Sequence, residues 1–374
     1  MTLAAARPRL RELDLLRFVA AVLVMFHHYV GRIAGWGVEN HHAMPVLAPV
    51  AHFGGLGVDL FFLISGFVIL MSAWGRDLGD FAVSRIVRIF PGYWFGVTFA
   101  LLLFLALGET PIASRSPLVA YLPNLTMLQT GIGAPDMEVV YWTLWAELHF
   151  YVLIALLVRR GVTYGRCVAF MVAWLLLAVF AEGSRATLLS SLLMPGWAPY
   201  FIAGMAFFLV HRFGPNLLLW LITAACWALA VHHRTTVVNH ELVWPNVWES
   251  VVTGTVTFMF LLMAMVATHQ FEMLEWRGFT VLGALTYPLY LVHESLGRAL
   301  TELLGARLGR WPLLGVCCAA ALVSAYLVHR FVEAPSQRWM RSRLKAALHR
   351  LRWEGPASGG EGRALPPSPA ETSR

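Results

Sequence analysis

The sequence predicts an all-α integral membrane protein, a bundle of about ten transmembrane helices. Three observations carry this. Of 374 residues, 58% are hydrophobic, and the mean hydropathy is +0.65. Only 13% are charged, against about 25% in a typical soluble domain. Apolar windows long enough to cross a hydrocarbon core of about 30 Å recur along the chain. The formal net charge is +7, and the excess sits in the two tails. Anchoring to anionic lipid explains that better than nucleic acid, so the bilayer is a partner and nucleic acid is not. Cys167, Cys226, Cys317 and Cys318 lie in apolar runs without a C-x-x-C pair and read as buried thiols.

The first window, 13–30, follows a tail with Arg7, Arg9 and Arg11 and lacks a small-residue cleavage site. It reads as a retained helix rather than a signal peptide. Asp14, Arg17, His27 and His28 interrupt its apolar sequence. An arginine at mid-membrane costs about 2.5–3.5 kcal/mol even on insertion scales, so such groups face a protein interior or a wet cavity. Arg17 and His28 are eleven residues apart. On a helix they fall within about 20° of each other, ~16 Å apart along the axis. Asp14, one turn before Arg17, can pair with it.

The second window, 53–73, contains GVDLFFLISGF. A mid-membrane serine such as Ser65 often bonds its own helix backbone, whereas the Asp59 carboxylate needs a partner. The loop at 74–89 carries Arg76, Arg85 and Arg88, the last two one turn apart, just before Pro91 and a third window at 90–107. Planar guanidinium groups suit phosphate; anchoring to lipid head groups is the other reading. The fourth window, 141–158, reads YWTLWAELHFYVL and places Glu147 about 9 Å inside its outer boundary. A carboxylate at that depth is neutral or paired, which makes Glu147 a general-base or histidine-orienting candidate. His149 points elsewhere on the helix.

Windows at 165–181, 196–212, 216–232 and 248–268 are plain apolar spans. The ninth, 279–297, holds Tyr287, Pro288, His293 and Glu294. Pro288 breaks the helix hydrogen bonding and opens a polar pocket beside His293; Glu294 reads as lying at the wet surface. The tenth, 312–333, ends in LVHRFVEAP, with Glu333 as a structural partner for Arg85 or Arg88.

An even number of spans puts both termini on one side. The basic tails then place both in the cytoplasm, as in a bacterial-type inner membrane. Arg76, Arg85, Arg88, Arg159 and Arg160 agree; Arg298, Arg307 and Arg310 run against the trend. The chain divides into an N-terminal tail (1–12), a ten-helix membrane domain (13–335), a basic segment (336–353) that reads as an interfacial amphipathic helix, and a tail (354–374) of disordered composition. Two outer loops are long, 31–52 and 108–140. The first holds His41, His42 and His52. Histidines in a loop can bind metal, but a solvated loop is the simpler reading and no metal site is assigned.

A depth pattern follows. Arg17, Arg85 and Arg88 gather toward the cytoplasmic end, and His28, Asp59, Glu147 and His293 in the outer half. A ligand that is anionic at one end and reactive at the other fits such a path.

Six segments, in order, resemble the membrane-bound acyltransferase 3 family, which includes O-antigen, exopolysaccharide and nodulation-factor O-acetyltransferases and macrolide acyltransferases. They are the R-x10-H pair Arg17/His28, GVDLFFLISGF at 57–67, R-x-x-R-I-x-P at 85–91, WTLWAELHFY at 142–151, TYPLYLVH at 286–293 and FVEAP at 331–335. The resemblance covers about residues 11–340. It implies a ten-helix core that moves an acyl group, usually acetyl from acetyl-CoA, to a hydroxyl, commonly on a sugar and often across the membrane. Arg17 and His28 match the family's essential pair, Glu147 its W-S-L-x-x-E-x-x-F-Y carboxylate, and Arg85 and Arg88 its R-x-x-R motif. Thr143 replaces the usual serine, and Leu148-His149 stands where Glu-Gln is common.

The expected chemistry is therefore transfer from acyl-CoA, a donor substrate rather than a bound cofactor, to a carbohydrate or a glycosylated small molecule. His28 and Glu147 are the catalytic candidates. Arg17, Arg85, Arg88, Asp59, Ser65, Tyr287 and His293 form the substrate-binding set. His28 either deprotonates the acceptor hydroxyl, with Glu147 orienting its ring, or carries the acyl group covalently. A secondary transporter or flippase is the alternative, since buried charges and a proline-broken helix fit it too; no repeated half supports it. A membrane scaffold leaves the buried charges unexplained.

Overall fold

The structure, a computed structural model, describes residues 10–34, 44, 47–111, 114–184, 187–238, 245–271 and 276–353. His41, His42, the first nine residues and the segment 354–374 lie outside the described residues.

The described residues form helices and turns and no strand. In order these are α1 (Arg11–Ala34), α2 (Leu47–His52), α3 (Gly57–Ala73), α4 (Leu78–Leu107), α5 (Pro117–Leu125), α6 (Trp142–Arg159) and α7 (Tyr164–Ser184). There follow α8 (Thr187–Leu193), α9 (Ala198–Phe213), α10 (Leu217–Val238), α11 (Pro245–Ala267), α12 (Gly278–Leu304), α13 (Arg310–Val328) and α14 (Ala334–Trp353). All ten apolar windows fall on helices. Among the described residues, nine helical stretches are long and apolar enough to cross a membrane. α12 has the length, 27 residues, and its run His293-Glu294-Ser295 makes it more polar than the rest.

α9 lies at the centre, buried from Ala198 to Val210. It packs against α3 at near backbone contact: a Cβ on Gly66 would lie 2.1 Å from the Phe201 carbonyl oxygen, and one on Gly204 2.1 Å from that of Leu63. Only glycine permits that approach, the device by which membrane helices gain dispersion contact without a hydrophobic drive. α1 packs between α12 and α3, which leaves its Asp14, Arg17, His27 and His28 half-buried. The outer helices present Leu102, Phe180, Leu221, Phe258 and Val323 outward, as a lipid-facing surface requires.

Three expectations need correction here. The segment 74–89 is not a loop. α4 starts at Leu78, capped by the Asp77 side chain, which accepts from the Asp80 amide at 2.9 Å, and runs through Pro91 to Leu107. Arg85 and Arg88 are therefore helical. Tertiary packing stabilises this polar first half: α14 lies against it. The basic segment is helical but not separate from the membrane domain. α14 continues α13 through a π-turn at His329–Glu333 and runs antiparallel to α4, with Glu333 beside Gly92 and Leu348 beside Gly79. The third correction concerns Glu333 itself. It is fully buried and pairs with His329 Nδ1 at 3.2 Å within that π-turn, rather than with Arg85 or Arg88.

Cys167, Cys226 and Cys317 are buried thiols and Cys318 is half-buried. 

Candidate active site

Helices α1, α3, α4, α6, α12 and α14 enclose a cavity of about 950 Å³, at the upper end of the range for ligand pockets. Arg17, Arg85, Arg88, Ser65, Glu147 and Tyr287 line it, as do Arg76, Arg341 and Lys345. We call this the basic end of the bundle. Six cations face three carboxylates, Asp14, Asp80 and Glu147.

Arg85 and Arg88 sit against rings rather than carboxylates. Arg88 lies 5.8 Å from the Tyr287 ring centroid, and Arg85 lies 5.7 Å from Tyr151 and 5.9 Å from Phe81. Arg17 makes no hydrogen bond or ion pair among the described residues, although Arg88, Glu147 and Asp14 act on it electrostatically. The expected Asp14–Arg17 bridge is thus replaced by a looser field. A half-buried guanidinium with its donors directed at a cavity suits an anionic ligand.

Glu147 belongs to this cavity and not to His28, which corrects the expected histidine-orienting role. Its Oε1 accepts from the Tyr151 hydroxyl at 2.7 Å and from Ser65 Oγ at 3.4 Å. Ser65 thereby bonds across to α6. Counting residues along α6 gave the depth of Glu147 but not its direction. α6 packs on α3 and α4, and so turns Glu147 toward Arg17.

His28 lies at the other end of α1, in a cluster that the sequence only half revealed. Its Nδ1 is 3.0 Å from Nε2 of His293 and 3.7 Å from the Glu294 carboxylate. Glu294 is buried, not at a wet surface, because α12 continues to Leu304 and carries the residue inside the bundle. His293 is 1% exposed, which makes it a partner of His28 rather than a substrate contact. Its Nδ1 faces two carbonyl oxygens, of Tyr290 at 2.8 Å and Leu289 at 3.1 Å. Carbonyls only accept, so the proton of neutral His293 sits on Nδ1 and its Nε2 must accept from His28 Nδ1–H. That network assigns the lone pair of His28 to Nε2. Donor atoms of His28, His293 and Glu294 lie within 4.8 Å of one another, close enough to hold a cation, but the hydrogen bond accounts for that closeness without one.

Tyr290 joins the two regions. It lines the cavity, while its ring lies 5.6 Å from that of His293 and 5.9 Å, edge-on, from Phe61, another lining residue. Its hydroxyl is fixed by Thr143 Oγ1 at 2.6 Å and the Val140 carbonyl at 2.9 Å. Thr143 therefore still supplies the hydroxyl that a serine would. His28 itself is not among the residues that line the cavity.

Asp59 is not part of either region. It is fully buried, and Arg234 on α10 grips it through two nitrogens, with Nε at 2.8 Å. This corrects its place in the substrate-binding set: it is a structural ion pair across 175 residues of chain. Arg234 follows the seventh window and carried no signal of its own. A further cluster, equally silent in sequence, surrounds Arg298 of α12, which bridges Glu109 and Glu138, both at 3.0 Å. Burial pushes the Glu138 carboxyl, just before the fourth span, up to about 7 despite Arg298 and the Ser295 hydroxyl.

A family model described as an acyltransferase domain matches residues 10–330. Acyltransferase MdmB of Streptomyces mycarofaciens is 25% identical over 374 aligned residues, covering 91% of this chain and 94% of that protein. Nodulation protein 10 of Rhizobium leguminosarum bv. viciae is 29% identical over 178 residues, 43% of this chain and 47% of the other. No solved structure gives a significant match.

Proposed function

The chain belongs to the family defined by that acyltransferase domain, which covers residues 10–330, and from this premise we propose a membrane-bound O-acyltransferase. It takes an acyl group, acetyl by default, from acyl-CoA on the cytoplasmic side of an inner membrane. It passes the group to a hydroxyl of a carbohydrate or glycosylated acceptor. The family match speaks against a transporter.

The observation that carries the donor assignment is the basic cavity, with Arg17 at its inner end. CoA is anionic at one end and carries its thioester on a long neutral arm. Arg17, Arg85 and Arg88 hold the phosphates, and the arm extends along α1 past Tyr290 toward His28. Arg17 and His28 are separated by ~16 Å of helix rise, a length that an extended arm bridges.

A hydroxyl is a weak nucleophile at neutral pH and needs a base. His28 Nε2 takes the acceptor proton as the oxygen attacks the thioester carbonyl. The C–S bond then breaks, and the proton passes from His28 Nε2 to the departing thiolate. His293 accepts from Nδ1–H throughout, and Glu294 stabilises the transient imidazolium. Glu147, with Tyr151 and Ser65, acts at the donor end.

The test is purified protein with acetyl-CoA, with and without acceptor sugars, following free thiol and acetylated product. Acceptor-dependent thiol release that His28→Ala abolishes, in a protein that still binds CoA, is the expected result. Full activity in that variant would overturn the reading.

A further inference from the structure

α14 forms one wall of the donor cavity. Its Arg341 and Lys345, one turn apart, line the cavity together with Arg76 at the start of α4. Both are exposed at that wall and make no ion pair among the described residues. They lie nearer the start of α4 than Arg88 does, because Leu348 packs beside Gly79 while Glu333 packs beside Gly92. The cavity therefore has two basic levels. The inner one, Arg17 and Arg88, is half-buried, with Arg88 beside the Tyr287 ring; the outer one, Arg76, Arg341 and Lys345, is exposed. Lys345 is the sole lysine in the sequence.

A donor with one phosphate group needs one such level. Two levels fit a donor whose anionic charge is divided between a pyrophosphate and a separate phosphomonoester. We propose that Arg341 and Lys345 form a second anion subsite that binds the ribose 3′-phosphate of CoA, so that the enzyme selects 3′-phosphorylated CoA over dephospho-CoA. This rests on the donor reading above and adds a subsite to it. Charge-assisted contacts to a dianion from two cations make the expected preference about tenfold or more.

Two measurements decide it, both on the full chain in a neutral detergent. The first compares kcat/KM for acetyl-CoA and acetyl-dephospho-CoA. Wild type should prefer the former about tenfold, and Arg341→Ala with Lys345→Ala should bring the ratio close to one. Equal use of both donors by wild type, or a preference retained by the double variant, would overturn the subsite. The second follows amine-directed labelling of Lys345. CoA should protect it and dephospho-CoA should not. If phosphatidylglycerol protects Lys345 and CoA does not, the helix face binds lipid head groups and the subsite is wrong. Absence of all turnover would sink the proposed function, while the labelling comparison would still decide the subsite.

Discussion

His28 Nδ1 and His293 Nε2 lie 3.0 Å apart with their rings stacked at an interplanar angle of 23°. One histidine thus does for the other what a carboxylate does in a catalytic triad: it fixes the tautomer and leaves a lone pair on the far nitrogen. The Tyr290 and Leu289 carbonyls make this arrangement one-directional.

His293→Ala should lower kcat by about a hundredfold, in line with the contribution of positioned acid–base groups, with KM for the donor nearly unchanged. The pH profile of kcat should shift as well, since His28 loses the partner that sets its tautomer. His293→Gln, which keeps an acceptor, should recover part of the rate. Wild-type kcat in the alanine variant would remove His293 from the mechanism.

Arg17→Ala or Arg88→Ala should raise KM for acetyl-CoA by about tenfold or more, the worth of one charge-assisted contact, with far less effect on acceptor KM. Arg17→Lys should recover only part, because an ammonium lacks the planar fork. Steady-state kinetics with each substrate varied separately makes the comparison; equal loss on both substrates would contradict donor binding at the basic end.

The Asp59–Arg234 pair predicts a stability effect instead of a kinetic one. Asp59→Ala leaves a largely buried guanidinium unpaired and should cost about 3–5 kcal/mol. Replacing both residues with leucine should restore most of that. Thermal unfolding in detergent reads both variants, and a double variant no better than the single would show that the pair does more than neutralise itself.

Glu138 predicts a pH dependence. Its carboxyl titrates near about 7 in the folded protein against an ordinary value of 4.5, because burial outweighs Arg298. The folded state therefore holds the proton more tightly than the unfolded state. The contribution of this group is fully present below about pH 4.5 and is lost as pH rises through about 7. Unfolding midpoints measured from pH 4.5 to 7.5 should fall for wild type, and Glu138→Gln should flatten that component.

The spans were legible because uninterrupted Leu, Val and Phe runs of bilayer length have few other uses. Arg17 and His28 were legible because charge inside such a run is costly. Glu147 was found but misassigned: residue counting along α6 gives depth, while the direction of a side chain depends on which helices α6 packs against. Asp59 announced its need for a partner, but nothing local names Arg234, 175 residues away. Glu294 looked like a solvated helix end because the periodicity of α12 fades into polar residues before the helix stops at Leu304. Arg85 and Arg88 looked like loop residues for the related reason that α14 holds the first half of α4 in place, a tertiary effect.

The pairing of Phe61 and Tyr290 has an electrical consequence. Glu147 and Arg17 lie on one side of this ring pair, and His28, His293 and Glu294 on the other. A water column joining them would be a proton wire through the membrane, worth about 2.3 kcal/mol per proton at 100 mV. Tyr290, set edge-on to Phe61 and pinned through its hydroxyl by Thr143 and Val140, stands between the two groups. On the proposed mechanism only a neutral arm and acyl group pass this point, so transfer need carry no charge through the bundle.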